Sequence, residues 1–260
     1  MKILPKFLNS LVPIGISTPL DSSIFWIGTG FLVIDREKEE QLFVVTNKHV
    51  IASQKDVIIR FNSVAGVIFD FPVNLNDGTK DHWTGHPNAE IDVSIIPIPA
   101  DIIAKNKLQA EPIELGSECA TKQFLIDKGI GEGEDIYVVG YPMSQVDSSN
   151  SFPIVRKGII SKIRHCTIQN NKDFTIDALV FPGNSGGPVF LEQLEVNFEE
   201  KEITRKKFLI GVVKSYIPYR DHALSAQTQQ LRVVFEENSG LAHVELADRV
   251  IETVKIYKTK

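Results

Sequence analysis

Short apolar runs separated by polar turns recur along nearly the whole chain, and this spacing most constrains what it can fold into. Phe31 to Ile34 and Leu42 to Thr46 flank the charged turn Asp35-Arg36-Glu37-Lys38-Glu39-Glu40, which is a hairpin pattern. Leu11 to Ile16, Val57 to Phe61, Val67 to Phe71 and Val93 to Ile98 supply the remaining strands of a first barrel. A connector from about Pro99 to Asp135 carries a short predicted helix over Thr121 to Lys128. Ile136 to Val139, Pro153 to Ile163, Phe174 to Val180, Pro188 to Leu191, Phe208 to Ser215 and Leu231 to Phe235 then build a second barrel. Only the end differs. Ala247, Val250, Ile251 and Val254 follow i, i+3, i+4, i+7 spacing, which predicts an amphipathic helix over Val244 to about Tyr257. The expected class is therefore all-β, with two six-stranded antiparallel barrels and a C-terminal α-helix.

Length and composition fit one domain over residues 1–260. Its parts are an N-terminal barrel (about 1–100), the connector (about 99–135), a C-terminal barrel (about 136–243) and the helix (about 244–258). A net charge of −5 with scattered lysines offers no basic stripe, so nucleic acid is not an expected partner. No apolar run approaches the length of a membrane span. The N-terminal stretch Met1 to Leu8 is cut short as a leader by Pro5, Lys6 and Asn9. With only Cys119 and Cys166, in no metal or redox spacing, the expectation is a cytoplasmic protein with two buried thiols.

Chemistry concentrates in Phe181-Pro182-Gly183-Asn184-Ser185-Gly186-Gly187-Pro188-Val189. Gly183 reaches backbone conformations closed to residues with a Cβ, so the N–H groups of Gly183 and Ser185 can converge beside the Ser185 hydroxyl as an oxyanion hole. A serine hydroxyl is a weak nucleophile and needs a base, itself held by a third group. His49, directly after the strand Leu42 to Thr46, is the candidate base. Asp92, at the start of the run Val93 to Ile98, is the candidate orienting acid.

The order His49, Asp92, Ser185, with gaps of 43 (92 minus 49) and 93 (185 minus 92), resembles the chymotrypsin-like serine peptidases. The likeness is greatest to their bacterial high-temperature-requirement (Deg) branch. It is carried by Gly28-Thr29-Gly30-Phe31-Leu32, Thr46-Asn47-Lys48-His49-Val50, Asp92-Val93-Ser94-Ile95-Ile96 and Val139-Gly140-Tyr141-Pro142. Lys157-Gly158-Ile159-Ile160-Ser161, the Ser185 turn and Leu209-Ile210-Gly211-Val212-Val213 continue it in the family's order.

The resemblance implies a serine endopeptidase acting on protein or peptide substrates without cofactor or metal. A cytoplasmic peptidase left permanently active would be hazardous, so control by a regulatory partner or by a substrate-induced loop change is expected, with the polar loops Met143 to Phe152 and Ile217 to Gln230 as the candidate moving parts. Asn184 stands where trypsin-type zymogens carry an aspartate, so activation by N-terminal cleavage is not implied. Carrying over the family's pocket puts Leu179 at its floor and Lys214, Ser215 and Tyr216 on its wall. Lys214 departs from the small residue usual there. An apolar floor favours aliphatic residues on the acyl side of the cut, unless Asp177, two positions from Leu179, reaches the pocket.

Two other functions fit less of the chain. Gly183-x-Ser185-x-Gly187 formally matches an esterase elbow, but that fold needs a helix after the serine and a histidine last in sequence. A binding module on a decayed peptidase scaffold is opposed by the presence of all three candidate residues. His82 and His86 sit four apart in a loop sequence with no third ligand nearby, so no metal is expected.

Overall fold

The strands that frame the site are buried on both faces, which is why their sequences read as unbroken apolar runs. In the hairpin of β2 (Ile24–Asp35) and β3 (Gln41–Thr46), Phe31 pairs with Val45 and Val33 with Phe43. Alternation sends Phe31, Val33, Phe43 and Val45 to one face, and Leu32, Ile34, Leu42 and Val44 to the other. The second set packs with Val12, Ile14, Ile59 and Ile96 inside the N-terminal sheet. The first set meets Tyr141, Phe190, Leu209 and Val212 from the other half of the chain, so the two halves share a core.

This computed structural model describes residues 5–18, 23–37, 40–169, 173–197 and 202–259, and the backbone alone at 169, 194–197 and 202–204. Part of the leader reading (1–4) and the centre of the charged turn (38–39) lie outside the described residues.

The remaining N-terminal strands are β1 (Leu11–Ser17), β4 (Asp56–Asn62), β5 (Ile68–Asn74), β6 (Thr84–Gly85), β7 (Ser94–Ile98) and β8 (Ile113–Glu114). Their order is β5-β4-β1-β2-β3-β7-β6, with β8 alongside β2, so this sheet has eight strands. In the C-terminal half, β9 (Asp135–Gly140), β10 (Ile154–Lys162), β11 (Asp173–Asp177), β12 (Pro188–Asn197), β13 (Glu202–Leu224) and β14 (Leu231–Leu246) close a barrel in the order β10-β11-β14-β13-β12-β9. Its interior holds Ile136, Ile160, Phe174, Val189, Ile210 and Val244. The chain is all-β with a C-terminal helix, as expected, and the C-terminal barrel has the expected six strands, whereas the N-terminal half has eight because the short strands β6 and β8 add to it.

Three expectations shift in detail. The connector helix spans Lys122–Asp127, with Thr121 Oγ1 accepting the Phe124 N–H at 3.3 Å as its N-cap. The C-terminal helix begins at Ala247 rather than Val244, because Val244, Glu245 and Leu246 pair with Val213, Val212 and Gly211 in the barrel. Its face Ala247, Val250 and Val254 is buried against the shared core. The predicted loop Ile217 to Gln230 is mostly strand: β13 runs on to Leu224 and β14 restarts at Leu231. Pairs such as Arg220 with Glu236, at 3.0 Å, hold this ribbon together outside the core. Its exposure on both faces removes the burial pattern that marks a strand in sequence.

Candidate functional site

His49 sits on a single helical turn, Lys48–Ile51, directly after β3. Val50 and Ile51 anchor that turn in the core, which leaves the imidazole facing outward. Buried Asn47 donates through Nδ2 to the Asp92 carbonyl at 2.5 Å. Ile91 and Val93, both buried, fix Asp92 between them. Its Oδ1 accepts the His49 backbone N–H at 3.1 Å, and its Oδ2 lies 2.5 Å from His49 Nδ1. Burial works to raise the Asp92 pKa, but the His49 contacts outweigh it and hold the carboxyl below its ordinary value. An ionised acceptor beside Nδ1 favours the tautomer with its proton on that nitrogen.

The Ser185 turn owes its shape to two glycines. Gly183 has φ +96°, and a Cβ on it would lie 2.4 Å from the Tyr141 carbonyl oxygen. Gly186 has φ +83°, and a Cβ there would lie 2.2 Å from the Thr29 carbonyl oxygen. The Pro182 carbonyl accepts from Met143 N at 2.6 Å, and the Asn184 carbonyl from Gly187 N at 2.9 Å. In a trans peptide the N–H points opposite its carbonyl, so these bonds orient the Gly183 and Ser185 N–H groups away from the turn's own contacts. Neither N–H has a backbone partner among the described residues.

His49, Asp92 and Ser185 border one cleft of about 420 Å³. Among the described residues no hydrogen bond joins Ser185 to His49. Ser185 Oγ donates instead to the Lys214 carbonyl at 3.4 Å, a long bond that a χ1 rotation can exchange. A larger cavity, about 830 Å³, opens between the edges of β5 and β6 beside Phe71, Trp83 and Tyr257. It contains none of the candidate residues, so the smaller cleft is the candidate site.

The pocket expectation needs correcting at Leu179. Beyond the end of β11, Ala178 and Val180 are buried and Leu179 is turned outward to 48% exposure, so Val180 and Phe181 line the cleft in its place. Asp177 is exposed and also lies outside the lining. Lys214, Ser215 and Tyr216 line the same cleft. Lys214 falls at a β-bulge, where β13 gains one residue on β14 between Val213 and Ser215. The cleft edge is thus built around an extra residue.

Sequence reasoning missed Thr29, Asn47, Val180, Phe181 and Glu245. Thr29 and Asn47 stood inside matched segments, but their role is to bond backbone groups far along the chain, which no local pattern reveals. Cys119 and Cys166 are free and buried, and burial pushes both thiols up to about 12. Among the described residues no group of three or more His, Cys, Asp or Glu side chains is arranged to hold a metal, and no helix is long and apolar enough to cross a membrane.

The chain matches the family described as the trypsin-like peptidase domain, whose model aligns with residues 28–196. The chain belongs to that family. It is 31% identical over 173 residues to the serine protease HtrA-like protein of Staphylococcus haemolyticus (strain JCSC1435), covering 63% of this chain and 22% of that protein. The serine protease HtrA-like protein of Staphylococcus aureus (strain USA300) is 29% identical over 239 residues, or 84% of this chain and 24% of its own length. The chain thus spans less than a quarter of the length of these relatives. Among solved structures, the MamO protease domain from Magnetospirillum magneticum (apo form) aligns over 95% of this chain and 96% of its own, with TM-score 0.49 and 13% identity.

Proposed function

We propose that this chain is a serine endopeptidase in which Ser185 attacks a peptide carbonyl. His49 takes the Ser185 proton through Nε2 and returns it to the leaving amine, while Asp92 holds the imidazole. The Gly183 and Ser185 N–H groups receive the charge that develops on the carbonyl oxygen. The observation that carries this reading is the 2.5 Å contact of His49 Nδ1 with a carboxyl held below its ordinary pKa, in the cleft that Ser185 also borders. Val180, Phe181 and Tyr216 favour a small or medium aliphatic side chain on the acyl side of the cut.

The reading extends to a reducing, cytoplasmic setting, supported by two free cysteines. It includes control by a partner protein or by substrate acting on Met143 to Phe152. Met143 and Ser144 both have left-handed backbone, at φ +53° and +56°, and Met143 N is the donor that orients the Pro182 peptide.

One observation favours a silent binding module instead: Ser185 Oγ bonds the Lys214 carbonyl rather than His49. A fluorophosphonate probe separates the two. Covalent labelling that disappears in Ser185→Ala supports the peptidase, and an unlabelled, folded wild type supports the binding module.

A further inference from the structure

The bulge in β13 directs Lys214 against the segment that carries Asp92. Its Nζ donates to the Glu90 carbonyl at 3.0 Å and to Asp173 Oδ2 at 3.2 Å, and lies 3.0 Å from Glu245 Oε1. Two of its ammonium hydrogens thus have hydrogen-bond acceptors, and the contact with Glu245 is an ion pair. Glu245 is wholly buried, and the same Oε1 accepts the Asp92 backbone N–H at 2.9 Å. Glu245 Oε2 has no hydrogen-bond partner among the described residues. A carboxylate in such a place is tolerated only when paired, and Lys214 is the cation that pairs it.

We infer that half-buried Lys214 and buried Glu245 act on the proton affinity of His49 through Asp92 in opposite senses and balance each other there, so that both are positioning residues for the base. This rests on the reading of His49 as the base. Glu245 fixes the Asp92 backbone, and Asp92 holds His49 by two contacts, one to its backbone N–H and one to the imidazole, so charge placed behind Asp92 acts on His49 along a rigid path. The signs oppose. The Lys214 cation disfavours an imidazolium and the Glu245 anion favours it, so the intact pair nearly cancels. Burial works to lower the Lys214 pKa, but Glu245 and Asp173 outweigh it and hold it above its ordinary value, so the cation persists across the range where imidazoles titrate.

The other charged groups nearby keep their own partners. Lys48, next to His49, turns to the carbonyls of His86, Asn88 and Ala89. Asp173 also faces His243 Nδ1 at 4.0 Å, and His86 pairs with Glu252, which also binds Arg249. Glu90 is exposed. None of these bridges to Asp92 as Glu245 does.

The test is an NMR titration of His49, its signal assigned by loss in His49→Gln, in wild type, Lys214→Met, Glu245→Gln and the double variant. Lys214→Met should raise the His49 midpoint, and Glu245→Gln should lower it, each by about 0.5 to 1 pH unit. The double variant should return to within about 0.3 unit of wild type. A purely structural pair would lower melting temperatures without moving the midpoint in opposite directions. The Glu245→Gln amide oxygen can still accept the Asp92 N–H, so this variant keeps the local fold and decides the matter even if Lys214→Met does not fold. A Glu245→Gln midpoint equal to or above wild type overturns the inference. Probe labelling of the same wild-type sample tests the peptidase reading separately. If Ser185 does not label but the midpoints shift as stated, the peptidase reading fails and with it the positioning role, while the electrostatic coupling of the pair to His49 stands.

Discussion

Thr29 Oγ1 donates to the Gly183 carbonyl at 2.6 Å, tying a buried side chain of β2 to the turn that carries Ser185. The same oxygen accepts the Tyr141 N–H at 3.0 Å, and the Thr29 N–H donates to the Ser185 carbonyl at 2.9 Å. One side chain from the N-terminal sheet thus braces the Ser185 turn and the end of β9 together. Thr29→Val keeps the shape but leaves two buried polar groups unpaired, at about 1 to 3 kcal/mol each. The expected result is a lower melting temperature and at least about tenfold slower fluorophosphonate labelling, since the oxyanion donors lose their brace. Thr29→Ser keeps the hydroxyl and should restore most of both. Labelling of Thr29→Val at the wild-type rate would remove Thr29 from the site.

The proposed triad makes a graded prediction. Ser185→Ala and His49→Ala should each cut peptide turnover by several powers of ten. Asp92→Asn should cut it by on the order of 10⁴, because an amide beside Nδ1 selects the wrong imidazole tautomer. Steady-state hydrolysis by folded variants checks this. Wild-type-like turnover in Ser185→Ala would sink the peptidase reading.

Specificity follows from the replacement of Leu179 by Val180 and Phe181 in the cleft lining. An aliphatic side chain gains about 0.8 kcal/mol per buried methylene, whereas a lysine or arginine head would enter beside Lys214 without an added acid to pair it. Digestion of a peptide library should show cleavage after valine, alanine or leucine. Dominant cleavage after arginine or lysine would mean that Asp177 reaches the substrate after all.

Stability should change with pH at both ends of the scale. The folded pKa of Asp92 is depressed, so its contribution is present above the unfolded carboxyl value near 3.9 and is lost as pH falls through the folded one. The folded pKa of Lys214 is raised, so its contribution is complete below the unfolded value near 10.4 and is lost as pH rises through the folded one. Urea melts at pH 3, 7 and 10.5 on wild type and Asp92→Asn check the acid limb. The variant should lose less stability between pH 7 and 3 than wild type, and parallel losses would show that Asp92 is not the titrating group.

The strands facing the shared core were legible because burial on both faces writes them as continuous apolar runs. The amphipathic helix was legible because its spacing has a period no strand can share. The ribbon past Tyr216 was legible only in part: Leu231 to Phe235 read as a strand, though of the barrel rather than of an exposed ribbon, while its partner Ile217 to Leu224 read as loop because pairing in solvent leaves no burial pattern in the sequence.

The same division runs through the site. Ser185, His49 and Asp92 stand out in sequence because each needs a particular side-chain type beside a particular local feature: a glycine turn, a strand end, the start of an apolar run. Leu179 was misplaced because β11 ends at Asp177, and the path beyond it is set by the packing of Ala178 and Val180 in the barrel, which no local pattern in the sequence records. Lys214 looked out of place in sequence, since its partner Glu245 lies on a different strand. Only the closed barrel, with its bulge after Val213, brings the ammonium to 3.0 Å from that carboxylate and places both behind Asp92. Residue types and their order are local properties that a sequence carries, whereas the register of paired strands and the burial of a charge belong to the folded chain.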